Sequence, residues 1–198
     1  MSDTLLIRLV RAFERRLQLP IEITEVRDEI VRLGIQDEIA FSGEDIDTDQ
    51  LFGAMYRYTR KEGLYSPPTL CTLIVYARRL PLEWQRVVCC KESIHIFDEG
   101  PEETNSSKGV CSLLDKLAGR VSADDFGIAD IMAMKDRLAL YQCLPVLFPM
   151  AARAKAREAM EAGASFQDIV NWTCLPPDLV EIVMSDNWPD LLDSLLSC

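Results

Sequence analysis

The sequence predicts an α+β fold, predominantly helical, with a small antiparallel sheet and a C-terminal helical tail. Three observations predict it. Apolar residues recur at helical spacing near both ends of the chain. Two runs rich in aromatic and β-branched residues, Met55–Thr59 and Leu70–Tyr76, read as strands. A helical stretch from Pro81 to Asp98 follows them and carries the single histidine of the 198 residues.

Composition narrows the class before any element is placed. With 48% hydrophobic residues the chain has ample material for a core. The length fits one domain with a small appendage, divided here as 1–150 and an acidic helical part at 151–198. The seven cysteines are odd in number and show no C-x-x-C spacing. Neither a disulfide framework nor a cysteine-type zinc site is indicated, which fits a reducing cytoplasm. The N-terminus lacks an apolar signal-peptide core, and no apolar run approaches the ~18 residues of a membrane span. The net charge of −11 argues against broad nucleic-acid affinity, which rests on phosphate neutralisation by Lys and Arg.

The first helix is expected over 3–18. Leu5, Leu6, Leu9, Val10, Phe13 and Leu17 form its apolar stripe, and Pro20 ends it. Arg8, Arg11, Arg15 and Arg16 lie largely on another side and read as a solvated face, with a basic docking surface as the other reading. A second helix is expected from Thr24, as cap, to Leu33, with Gly34 as its stop. Ser42 to Gln50 is acidic and spells D-x-D-x-D at Asp45, Asp47 and Asp49. A calcium loop needs Gly sixth and Glu twelfth, where Gln50 and Tyr56 stand, so an exposed loop or helix start is expected.

The turn residues Lys61-Glu62-Gly63 and Pro67-Pro68 lie between the two strands, and an antiparallel pair is the simplest arrangement. Pro81 sits just inside the start of the central helix, where a missing N–H costs least. At 100° per residue, Lys91, Glu92, His95, Asp98 and Glu99 share one arc of that helix with Trp84, Val87 and Val88. A solvated face seldom carries a tryptophan and two valines. The N-terminal half of that arc is therefore expected to be covered and the C-terminal half to open into a cleft. Leu82, Cys89, Cys90, Ile96 and Phe97 take the opposite side. Cys90 lies about 140° from His95, so the cysteines read as buried structural thiols rather than as half of a Cys–His pair.

Gly100 to Lys108 is a loop by composition, Val110 to Leu117 a short helix. The next helix, capped by Asp124 or Asp125, is expected to run to Leu144 and to be broken by Pro145 and Pro149. Asp136 stands in it with only apolar residues at ±3, ±4 and ±7. If that face is buried, its short carboxylate needs a partner or must become neutral. An exposed helix with spare alanines is the other reading.

Lys91-Glu92-Ser93-Ile94-His95 differs from the zinc-peptidase motif H-E-x-x-H at its first position only. Two histidines four apart share a helix face and reach one Zn²⁺, and the glutamate takes a proton from the metal-bound water. A charged lysine has three donors and no lone pair, so Lys91 cannot be a ligand. With the order of elements, and with Asp136, Ala139, Leu147 and Pro149 in register with a later family pattern, the chain resembles the ImmA/IrrE family of bacterial and phage zinc-peptidase-like proteins. The family's small helical tail is matched by 165–185.

The resemblance implies a zincin-like core over 1–150. Its ligand positions map onto Lys91, His95 and Asp136, with Glu92 as base. It implies a cytoplasmic regulatory or protein-interaction module, since the family commonly acts on or beside transcriptional repressors. In this reading the site is catalytically impaired, Glu92 is vestigial, Lys91 replaces the metal, and no metal or other cofactor is expected. The alternative is an active zinc metallopeptidase with His95, Asp136 and Asp98 as ligands and Glu92 as base. A DNA-reading tail is disfavoured. From Ser165 to the C-terminus there are six acidic residues and no Lys or Arg.

Overall fold

A computed structural model of the chain describes residues 4–49, 51–61, 63, 67–97 and 128–197, of which 128–136 by backbone alone. Among these residues the protein is α+β, with eight helices and one three-stranded mixed sheet. None of these helices is long and apolar enough to cross a membrane.

Helix α1 spans Leu5–Phe13, shorter than the expected 3–18, with the Thr4 hydroxyl accepting from the Ile7 N–H at 3.3 Å. Its Leu9, Val10 and Phe13 are buried, whereas Leu17 lies beyond the helix and is half exposed. Helix α2 spans Ile23–Arg32. Its cap is Glu22 rather than Thr24, and the Glu25 carboxylate reaches back to the Glu22 N–H at 3.3 Å. Gly34 follows with φ +109°, a left-handed value that glycine takes without a Cβ penalty.

The sheet contains a strand that was not expected. β1 is Glu38–Glu44, β2 Gly53–Arg60 and β3 Thr69–Ala77, in the order β1-β3-β2. β2 and β3 are antiparallel as expected, with Met55 opposite Ile74. β1 lies parallel to β3 on its other side, with Phe41 opposite Ile74, so the sheet is mixed. The start of the supposed acidic loop, Ser42 to Glu44, is thus the end of an edge strand. Only Ile39 and Phe41 alternate within it, which is too short a period-two signal to stand out beside four acids.

Helix α3, Leu82–Ile94, lies over the sheet face that carries Ile39, Phe41, Met55 and Ile74. Gly53 allows this close packing. A Cβ there would stand 2.3 Å from Val88 Cγ1 and 2.7 Å from the Val75 carbonyl oxygen. On the opposite face of the sheet Tyr56 and Tyr58 are exposed and stack with ring centroids 5.6 Å apart.

Helix α4, Ile128–Leu147, packs against α3. Pro145 lies inside it and does not break it. An interior proline costs about 3 kcal/mol. Leu144, Val146, Leu147 and Phe148 around it are fully buried, and each such side chain contributes about 1.5–3 kcal/mol. Burial wins, and the helix ends only before Pro149. Four further helices complete the chain: α5 Met150–Glu161, α6 Phe166–Thr173, α7 Pro177–Met184 and α8 Trp188–Ser197. The buried Arg153 of α5 donates to the carbonyls of Val183 (2.6 Å) and Ser185 (2.8 Å), closing the C-terminal end of α7. A single hydrophobic cluster runs from Leu9 of α1 to Leu195 of α8. The expected loop at 100–108 and helix at 110–117 lie outside the described residues.

Candidate functional site

The site is built on α3. Pro81 is its N-cap, one residue outside the expected position just inside the helix, and Glu83 complements the positive end of the helix dipole. Every residue from Arg86 to Ile94 is buried. Lys91 and Glu92 are therefore buried, and Asp98 and Glu99, at the end of the stretch expected to open into a cleft, lie outside the described residues. The sheet covers one side of α3 and α4 another, so the charged residues are enclosed together with the valines.

Enclosure forces the two charges together. The Lys91 ammonium stands 2.9 Å from Glu92 Oε1, with the side chains 11% and 6% exposed. Neighbouring residues on a helix point about 100° apart and do not normally meet. Here neither charge can reach bulk water easily, and an unpaired buried ion costs several kcal/mol. His95 follows in a short 3₁₀ turn, His95–Phe97, and is half-buried. The helix thus tightens at the position where a second metal ligand is expected.

These residues do not fit the H-E-x-x-H zinc arrangement. The first ligand position holds an ammonium, and the carboxylate in the position of the base is ion-paired to it. Among the described residues no three His, Cys, Asp or Glu side chains are grouped so as to hold a metal ion. Asp98 lies outside the described residues. Asp136 is placed by its backbone in α4, four residues before Leu140, and its side chain lies outside the described residues.

A cavity of about 500 Å³ does open beside α3, along its N-terminal half. Trp84, Val87, Val88 and Lys91, spaced for one helix face, form one wall. Thr48, Asp49, Leu51, Phe52 and Gly53 form another, and Arg137 and Leu140 of α4 a third. Phe52 meets Trp84 edge to face, with centroids 6.0 Å apart. Glu92 and His95 do not line this cavity. The arc of the central helix was therefore legible, and the cavity runs along Trp84, Val87 and Val88, the part of it expected to be covered, as far as Lys91. Arg137 and Phe52 were missed. Arg137 carried one signal, its place beside Asp136 on a largely apolar helix.

A second buried carboxylate was also missed. Asp37, just before β1, accepts two hydrogen bonds from the Arg57 guanidinium (2.6 and 2.8 Å) and one from the Thr72 hydroxyl (2.6 Å). Burial pushes its carboxyl up, but the Arg57 and Thr72 donors outweigh this and hold it below the ordinary range. It ties all three strands together at one end of the sheet.

The thiols behave as expected of structural cysteines. Cys71, Cys89, Cys90 and Cys143 are buried and free. Burial, with the Glu92 charge, pushes Cys89 up to about 12. A hydrogen bond with Cys143, and then burial, raises Cys90 well above its ordinary value. Cys111 and Cys198 lie outside the described residues. No protein-family model, curated protein or solved structure matches the chain.

Proposed function

We propose that the protein is a metal-independent pseudo-peptidase of the ImmA/IrrE type, acting in the cytoplasm as a regulatory protein-interaction module. The observation that carries this reading is the buried Lys91–Glu92 pair. A cation already sits beside the carboxylate that a zinc peptidase would use as base, at the position of the first ligand. The exposed Tyr56–Tyr58 stack on β2 supports the interaction role, since tyrosines concentrate at protein interfaces. The partner is a regulator of the repressor type, by the resemblance alone. The acidic tail, with Trp188 and Leu195 packed into the core, serves as a packing element rather than a DNA reader.

Metal content tests the reading. Protein purified without an affinity tag should contain no stoichiometric zinc, and its melting temperature should not respond to chelator. Stoichiometric zinc, lost with chelator together with hydrolysis of a protein substrate, would replace this reading with an active metallopeptidase using His95, Asp136 and Asp98, with Glu92 as base.

A further inference from the structure

The cavity beside α3 has a composition of its own, independent of whether the protein carries zinc. Its volume of about 500 Å³ falls among those of small-molecule sites, about 300–1,000 Å³. Its inner surface is apolar, built by Trp84, Val87, Val88, Leu51 and Leu140. Phe52 is 42% exposed at this cavity, with its ring set edge-on to Trp84. A large exposed aromatic beside an apolar hollow offers a surface that a ligand can cover.

Charge gives the hollow a direction. Arg137 stands exposed on the α4 wall, where a guanidinium offers a planar fork to a carboxylate. Lys91 lines the same cavity, and its charge is already balanced by Glu92. Asp49, exposed on the segment before β2, is the one carboxylate among the described lining residues. It disfavours a second negative charge on anything bound.

We infer that this cavity binds a small organic monoanion with an aromatic or branched apolar body and a single carboxylate. The body inserts between Trp84, Phe52 and the valines of α3, and the carboxylate pairs with Arg137. Apolar burial supplies the greater part of the affinity, and the guanidinium sets the orientation and the preference for an acid over its neutral analogue.

Three probes test the site: 1-anilinonaphthalene-8-sulfonate as fluorescent reporter, 3-phenylpropionate as competitor, and 3-phenylpropionamide as its uncharged counterpart. The wild type should bind the dye saturably at one site, and the acid should displace it about tenfold more effectively than the amide. Arg137→Gln should weaken the dye and the acid by about tenfold and leave the amide unchanged. Phe52→Ala should weaken all three. Both substituted residues are exposed, and matching thermal melts would confirm intact variants. Unsaturable dye fluorescence, equal displacement by acid and amide, or unchanged affinity in Arg137→Gln would each overturn the inference.

Discussion

Two ion pairs with a buried carboxylate lie at different places in this molecule, and they are built differently. At the end of the sheet, Asp37 is held by Arg57 from β2 and Thr72 from β3. Three donors from two other strands converge on one carboxylate, and Arg57 remains 36% exposed, so its charge keeps part of its hydration. In α3, Lys91 and Glu92 are sequence neighbours on one helix, and both are enclosed. The first pair joins elements that would otherwise separate. The second lies between two neighbours of one helix. A pair between neighbours on one helix costs desolvation without itself linking two elements.

Single and double substitutions should separate the two cases. The largest effect is expected for Glu92→Leu, which leaves the Lys91 ammonium enclosed without its carboxylate. Chemical denaturation should show a loss of about 3 kcal/mol. The double variant Lys91→Met/Glu92→Leu should recover most of that loss, because two apolar side chains of similar volume remove both charges. A double variant as unstable as the single one would show that this pair also serves as a structural tie.

Arg57→Ala should cost less, about 2 kcal/mol, since water can reach the Asp37 end of the sheet once the guanidinium is gone. No apolar pair is expected to replace it without loss, because Asp37 also anchors Thr72. This carboxyl is held low in the folded state. Its contribution is therefore present above the unfolded value, about 3.9, and is lost as pH falls through the lower folded value. Stability of the wild type should accordingly drop below about pH 4 more steeply than that of Arg57→Ala. Parallel pH profiles of the two proteins would contradict the assignment.

The smallest effect is expected at the surface pair Arg79–Asp45, 2.9 Å apart, with both side chains more than 70% exposed. Arg79→Ala should be indistinguishable from wild type by chemical denaturation, because exposed pairs gain little against water and side-chain entropy. A measurable loss there would mean that ion-pair geometry, rather than enclosure, sets the scale.

The same contrast explains what the sequence made legible. Helical spacing placed α2 and α3 within a few residues and found α1 while overrunning its C-terminal end by five, and β-branched runs placed β2 and β3. The edge strand β1 escaped because its partner β3, thirty residues on, supplies the pairing that its own composition does not. Pro145 misled because the breaking rule counts one lost hydrogen bond and cannot count the buried side chains around it. On α3, periodicity found the face of Trp84, Val87, Val88 and Lys91 but could not tell which end of it another element would cover. Asp37–Arg57 left no local trace, since its members are twenty residues apart and meet only in the folded sheet.

The central claim is that Lys91 fills the place of a metal ligand and of the metal's charge. The most direct measurement is zinc stoichiometry, with chelator-dependent melting, of Lys91→His beside the wild type. Restoring H-E-x-x-H should give a variant that binds about one zinc through the new histidine, His95 and Asp136, and that melts lower in chelator. The wild type should hold none and melt unchanged. Zinc in the wild type, or its absence from both proteins, would contradict the claim.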